Sequence, residues 1–75
     1  MNIWTDEHDD LTASCTYDEA AHRYEVVVSS GAVTETTSFL ATHEPVFGPD
    51  VADLDHSYML AEQLAMIVDK KTGKT

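Results

Sequence analysis

From Leu11 the chain alternates strictly between apolar and polar positions. Leu11, Ala13, Cys15 and Tyr17 fall on one side and Thr12, Ser14 and Thr16 on the other, the period of a half-buried strand over 11–17. Asp18-Glu19-Ala20-Ala21 reads as a reversal. A second strand follows over 22–30, with Tyr24, Val26 and Val28 on one face and Arg23, Glu25, Val27 and Ser29 on the other. Ser30-Gly31 is a turn signal, because glycine tolerates positive φ. Residues 32–41, rich in Thr, Val and Phe, predict a third strand. Its alternation is flawed, since Glu35 shares a face with Val33, Thr37 and Phe39, which suits an edge strand carrying a bulge.

Pro45, Gly48 and Pro49 turn the stretch 42–50 into a loop. Beyond it the period changes to three and four residues: Val51, Leu54, Tyr58, Ala61, Ala65 and Val68 recur at helical spacing, widened by Leu60, Leu64 and Ile67. Asp50 stands at the N-cap position, Asp53 suits the positive end of the helix dipole, and Lys70 and Lys71 suit its C-terminal end, with Gly73 as the stop. The pattern predicts a helix from about 50 to 71. The whole is one α+β domain over 1–75: a three-stranded antiparallel β-meander followed by one long C-terminal helix packed on one face (β-β-β-α), with an acidic N-terminal segment at 1–10 and a short basic tail at 70–75. Leu11, Cys15, Tyr24, Val26, Val28, Leu54, Tyr58, Ala61, Leu64 and Val68 are the expected core, with Ile3 and Trp4 packing beside it.

Charge changes this picture most. Fourteen acidic residues face four basic ones for a formal net charge of −10, and three of the four bases, Lys70, Lys71 and Lys74, lie in the last six residues. So anionic a body repels nucleic acid and anionic membrane and attracts basic surfaces. High charge can defeat folding, but 43% of the residues are apolar and patterned, so a folded domain is expected. The chain has one cysteine, Cys15, and hence no internal disulfide. It shows no basic-then-apolar leader and no apolar run near the ~18 residues a membrane helix needs. A cytoplasmic protein is expected.

Few residues invite catalysis or metal binding. His8 sits among acids, and Asp53 and His56 form an i, i+3 pair, but no zinc or calcium ligand spacing occurs. No metal and no cofactor are expected. Cys15 with His22 could be imagined as nucleophile and base, yet Cys15 belongs to the core-facing set and a strongly anionic chain disfavours a thiolate. No catalytic residues are assigned, and the protein reads as non-enzymatic.

The acids themselves are the candidate site. Asp6, Glu7, Asp9 and Asp10 form a run, Asp18 and Glu19 lie at the first reversal, and Asp50, Asp53 and Asp55 surround the helix start. Gathered on one side, they would imitate the regular negative charge of a nucleic-acid backbone, one per ~1.7 Å of duplex. In size, acidity and simple architecture the chain resembles the small inhibitors that bacteriophages and mobile elements use against host defences, anti-CRISPR proteins and other DNA mimics among them. That resemblance implies blocking of a basic, nucleic-acid-binding protein, in the host cytoplasm if the gene is a phage's. Two alternatives use the same composition: an antitoxin or immunity protein neutralising a basic toxin, and a homodimeric housekeeping domain of a salt-adapted organism, paired through a sheet edge or helix face, with the open sheet face around Val27 a further place for two copies to meet.

Overall fold

The computed structural model describes residues 1–73, so Lys74 and Thr75 of the expected basic tail lie outside the described residues. The chain forms β1 (Asn2–His8), β2 (Leu11–Asp18), β3 (Arg23–Ser30), β4 (Val33–Leu40) and α1 (Val51–Thr72). The strands make one antiparallel sheet in the order β1-β2-β3-β4. The α+β class, the C-terminal helix and three of the strands fall where the sequence pattern puts them. The strand count does not: the sheet has four strands, and the segment expected to be a solvated acidic lead is β1.

The physical reason lies in two features of β1. Its register against β2 shifts between Asn2 and Trp4, so Ile3 is an extra residue and two adjacent apolar side chains replace an alternating pair. Beyond it, Trp4, Asp6 and His8 oppose Cys15, Ala13 and Leu11 and therefore sit on the helix-facing side. Asp6 and His8 are nonetheless exposed, because α1 packs over β3 and β4, approaches β2, and stops short of β1. The bulge expected in the last strand is absent from it. β3 and β4 pair in unbroken register, and Glu35, the residue that spoiled the alternation, receives Lys71 Nζ at 2.7 Å from the last turn of the helix.

Turn chemistry fixes the hairpins. Asp9 takes positive φ at the β1–β2 turn, as do His22 at the β2–β3 turn and Gly31 at the β3–β4 turn. Asp18 Oδ1 accepts from the backbone N–H groups of Ala20 and Ala21, an Asx-type closure of the second hairpin. The helix opens with Asp50, whose side chain accepts from Ala52 N–H. It ends at Gly73, left-handed with its N–H returned to the carbonyls of Asp69 and Lys70.

The core is the sheet's inner face against one helix stripe: Cys15, Tyr17, Tyr24, Val26, Val28 and Phe39 below, Ala61, Leu64 and Val68 above. Fully burying a valine-sized side chain contributes about 1.5–3 kcal/mol, so Val26, Val28 and Val68, each almost wholly enclosed, carry a large share of a small domain's stability. The buried stripe runs Asp53, Ser57, Ala61, Leu64, Val68. In its first half it is polar and offset from the expected Val51–Leu54–Tyr58 line. Val51 and Tyr58 are therefore exposed, and Tyr58 lies outside the core it was expected to join. The opposite sheet face is open and built largely of hydroxyls, with cross-strand rows such as Thr12–Ser29–Thr34 and Ser14–Val27–Thr36. No described helix is long and apolar enough to cross a membrane.

Tyr24 is 1% exposed, and its hydroxyl is a buried side-chain oxygen without a hydrogen-bond partner among the described residues. An orphaned buried hydroxyl costs stability that a phenyl ring does not. Urea unfolding should therefore find Tyr24→Phe as stable as the parent or more so, whereas Leu64→Ala should lose about 2–5 kcal/mol by cavity formation. A clear loss in Tyr24→Phe would mean that the hydroxyl is satisfied.

Candidate partner-binding site

The loop between β4 and α1 is closed at its base by two side chains that the helix start supplies. Asp53, 6% exposed, accepts from Thr42 N–H at 2.9 Å and from Thr42 Oγ1 at 2.7 Å. His43 Nε2 lies 3.1 Å from Asp50 Oδ2, and its Nδ1 lies 3.4 Å from the Glu44 carbonyl. A protonated imidazole donates through both nitrogens, a neutral one through only one. The Glu44 carbonyl and then the Asp50 carboxylate accordingly hold the His43 pKa above its ordinary value, against a smaller opposing effect of burial. Asp50 is held below the usual carboxylate range, first by the Ala52 N–H and then by His43, with burial opposing. Further along, Val46 N–H bonds the Glu44 carbonyl and Gly48 N–H the Pro45 carbonyl. Gly48 turns the chain at φ 105, a left-handed conformation that glycine adopts without strain.

This frame presents Phe47 to solvent. Pro45 is buried beneath, while Val46 is 70% and Phe47 102% exposed. An apolar ring left fully in water at the tip of a braced loop is the largest such exposure on the surface, and it is bracketed in sequence by Glu44 and Asp50. The β2–β3 turn reaches the same end of the molecule. Ala41 N–H bonds the His22 carbonyl, His22 Nδ1 stands 4.0 Å from Glu44, and a shallow hollow is lined by Tyr17, Glu19, Glu44, Pro45 and Val46. The Tyr17 hydroxyl reports this convergence: burial raises its pKa, and the charges of Glu44, Glu19 and Asp18 raise it further.

The nine acids expected to form the site are thus divided. Asp18 and Glu19 meet Glu44, which the sequence pattern did not single out, around Tyr17, and Asp50 closes the same loop through His43. Asp9 and Asp10 lie in the β1–β2 turn at the opposite end of the sheet, about 25 Å away by the length of an eight-residue strand, and Asp6 and Glu7, paired with Ala13 and Thr12, lie about 17–20 Å away. They do not even share a face, since Asp6 opposes Ala13 on the helix side and Glu7 opposes Thr12 on the open side. Asp55 is exposed on the early helix. Asp53 is turned inward, and its carboxylate is committed to Thr42. Phe47 escaped sequence reading because a lone aromatic between prolines carries no period. The clue available was an apolar Val-Phe pair in a loop with no strand or helix to bury it.

Other candidate chemistry is not assembled. Cys15 is wholly buried, as expected of a core residue, and burial pushes its thiol up despite the Ser57 hydroxyl nearby. His56 packs against the Phe39 ring with centroids 4.4 Å apart and is not paired with Asp53. No group of three metal-ligating side chains comes together among the described residues.

The His43–Asp50 strap implies a pH window. A raised histidine pKa gives a contribution complete below the ordinary value of about 6.5 and lost as pH climbs through the raised one. The lowered Asp50 contributes above about 3.9 and loses this as pH falls. The strap is therefore strongest between these limits. An NMR titration should place the His43 midpoint above that of an ordinary histidine, and Asp50→Asn should bring it down. The stability difference between the parent and His43→Ala should shrink above neutral pH. A His43 midpoint unmoved by Asp50→Asn would dissolve the strap.

No protein-family model, curated protein or solved structure matches this chain, so these residues and their geometry carry the functional reading by themselves.

Proposed function

We propose that the chain is a non-enzymatic binding protein that docks its loop end on a basic protein surface, of the kind that otherwise holds nucleic acid, and so blocks it. The observation that carries this reading is Phe47, fully exposed on a loop braced by Asp53 and His43, with Glu44 and Asp50 in the same loop and Glu19 lining the hollow beside Pro45 and Val46. Interfaces take most of their affinity from a few aromatic or arginine anchors seated in pockets, with a rim that excludes water. Charge around the anchor sets approach rate and partner choice. A braced loop forfeits little entropy on docking. Its field is countered only in part: Arg23 stands across the strands from Asp18 and donates to Ser38 on the open sheet face, the Met1 ammonium bonds the Tyr17 carbonyl, and Lys71 is paired with Glu35. Asp6, Glu7, Asp9 and Asp10, divided between the two sheet faces and the far turn, lie away from this end and are not part of the proposed contact.

The test uses immobilised protein and a cell extract, at low and high salt, with and without duplex DNA. A captured partner should be released by salt and by DNA. Phe47→Ala should weaken it at least about tenfold, as loss of a hot-spot residue does. Asp18→Lys with Glu19→Lys should weaken it mainly through the association rate. Capture indifferent to salt, DNA and Phe47→Ala but abolished by Val27→Asp would move the interface to the open sheet face and end the mimicry reading. Salt-insensitive self-association lost in Val27→Asp would point to the homodimer instead.

A further inference from the structure

Because α1 stops short of β1, the β1–β2 side of the inner face opens into a cleft of about 340 Å³. Leu11, Ala13 and Val28 form its floor, and Ala61 and Ala65 its helix wall. The outer wall is aromatic: Trp4 and Tyr58 stack with centroids 4.8 Å apart and planes inclined by 21°. Trp4 is held in place, its Nε1–H donating to Ser57 Oγ at 2.8 Å while the Ser57 hydroxyl donates to the Leu54 carbonyl at 2.6 Å. Three alanines stand where longer side chains would close the gap. A small domain short of core thus leaves an apolar space unfilled beside a fixed aromatic wall.

Its mouth carries the carboxylates of Asp6 and Glu62, with His8 at the edge, and no lysine or arginine among the described residues lines it. The volume is at the lower end of the ~300–1,000 Å³ of small-molecule sites, which are mostly apolar with a few polar groups that fix orientation. Each part selects a ligand property. The floor and alanine wall take an apolar body, and the Trp4–Tyr58 pair offers π-faces to a cation. The two carboxylates favour positive charge and repel an anion. The geometry points to a binding site for a small organic ammonium ion, an amine or quaternary ammonium carried on a hydrocarbon or aryl body, between β1, β2 and α1. This site is separate from the loop end and does not depend on the reading given to it.

Trp4 is the sole tryptophan of the chain, so its fluorescence reports on this wall alone. Phenethylammonium should change it saturably. Neutral 2-phenylethanol should bind at least about tenfold more weakly, and phenylacetate should not bind. Ala65→Leu, which fills the cleft from a half-buried position, should abolish the response while keeping the circular dichroism of the parent. Asp6→Asn with Glu62→Gln should weaken phenethylammonium about fivefold or more and leave 2-phenylethanol unchanged. Asp18→Asn with Glu19→Gln, at the far end, should change neither and so serves as the control for general attraction to an acidic protein. The assignment is overturned by the absence of a saturable response, by equal binding of the alcohol and the ammonium, or by a response that survives Ala65→Leu. It is also overturned if a lysine-rich peptide displaces phenethylammonium and binds more than tenfold tighter, because the occupant would then be a protein side chain.

Discussion

One helix must cover four strands, and it is too narrow to do so. With side chains a helix is about 10–12 Å across, whereas adjacent strands lie about 4.8 Å apart, so a single helix shelters two strands fully and a third in part. Here α1 lies over β3 and β4 and meets β2. The inner face of β3 is accordingly the most enclosed surface in the protein, with Tyr24, Val26 and Val28 nearly inaccessible. The inner face of β1 is the least enclosed, which is why Asp6 and His8 are tolerated there. The Trp4–Tyr58 stack and the Trp4–Ser57 hydrogen bond reach across the gap that the backbone leaves. The cleft and the exposed edge acids follow from that mismatch of widths.

The same constraint decides how much of the fold could be read from the sequence. β2 and β3 are covered on one face and open on the other, and their alternation is clean enough to assign both faces correctly. The caps of α1, Asp50 and Gly73, were legible because capping chemistry is local. β1 was not legible, because a bulge at Ile3 broke its period and the inward positions beyond it are not sheltered and need not be apolar. The helix stripe was displaced for a related reason: hydrophobic periodicity cannot anticipate that Asp53 and Ser57 would be buried to serve Thr42 and Trp4. Of the candidate site, the placing of Asp18, Glu19 and Asp50 at one end of the sheet was within reach of a chain-order argument. Glu44 and Phe47 needed the loop's path, which three-dimensional bracing sets and no pattern encodes.

Asp53 joins the fold to the site. A carboxylate at the top of the core is costly unless hydrogen-bonded, and the two bonds from Thr42 meet that requirement while pinning the loop to the helix. Its charge is felt inside the core as well: the Tyr24 hydroxyl is pushed up first by burial and next by Asp53, so the phenol stays neutral. Were the loop slack, Val46 and Phe47 could fold back over apolar surface. With Asp53 and Asp50 both tying the helix start to the loop's first residues, Thr42 and His43, the base is closed and the tip stays outward.

The order of elements along the chain has a consequence during synthesis. All four strands, residues 2–40, precede the helix that covers them, so the inner face around Cys15, Val26 and Phe39 is synthesised before its lid. Chains grow at roughly 5–20 residues per second, so the 32 residues from Ala41 to Thr72 correspond to a delay of a few seconds between the last strand and the end of its lid. Neighbouring nascent chains at that stage already carry the acids of β1 and of the first two turns, whose mutual repulsion acts before packing can. In this protein the anionic surface is in place earlier than the core is closed, and it can keep unfinished copies apart on the polysome.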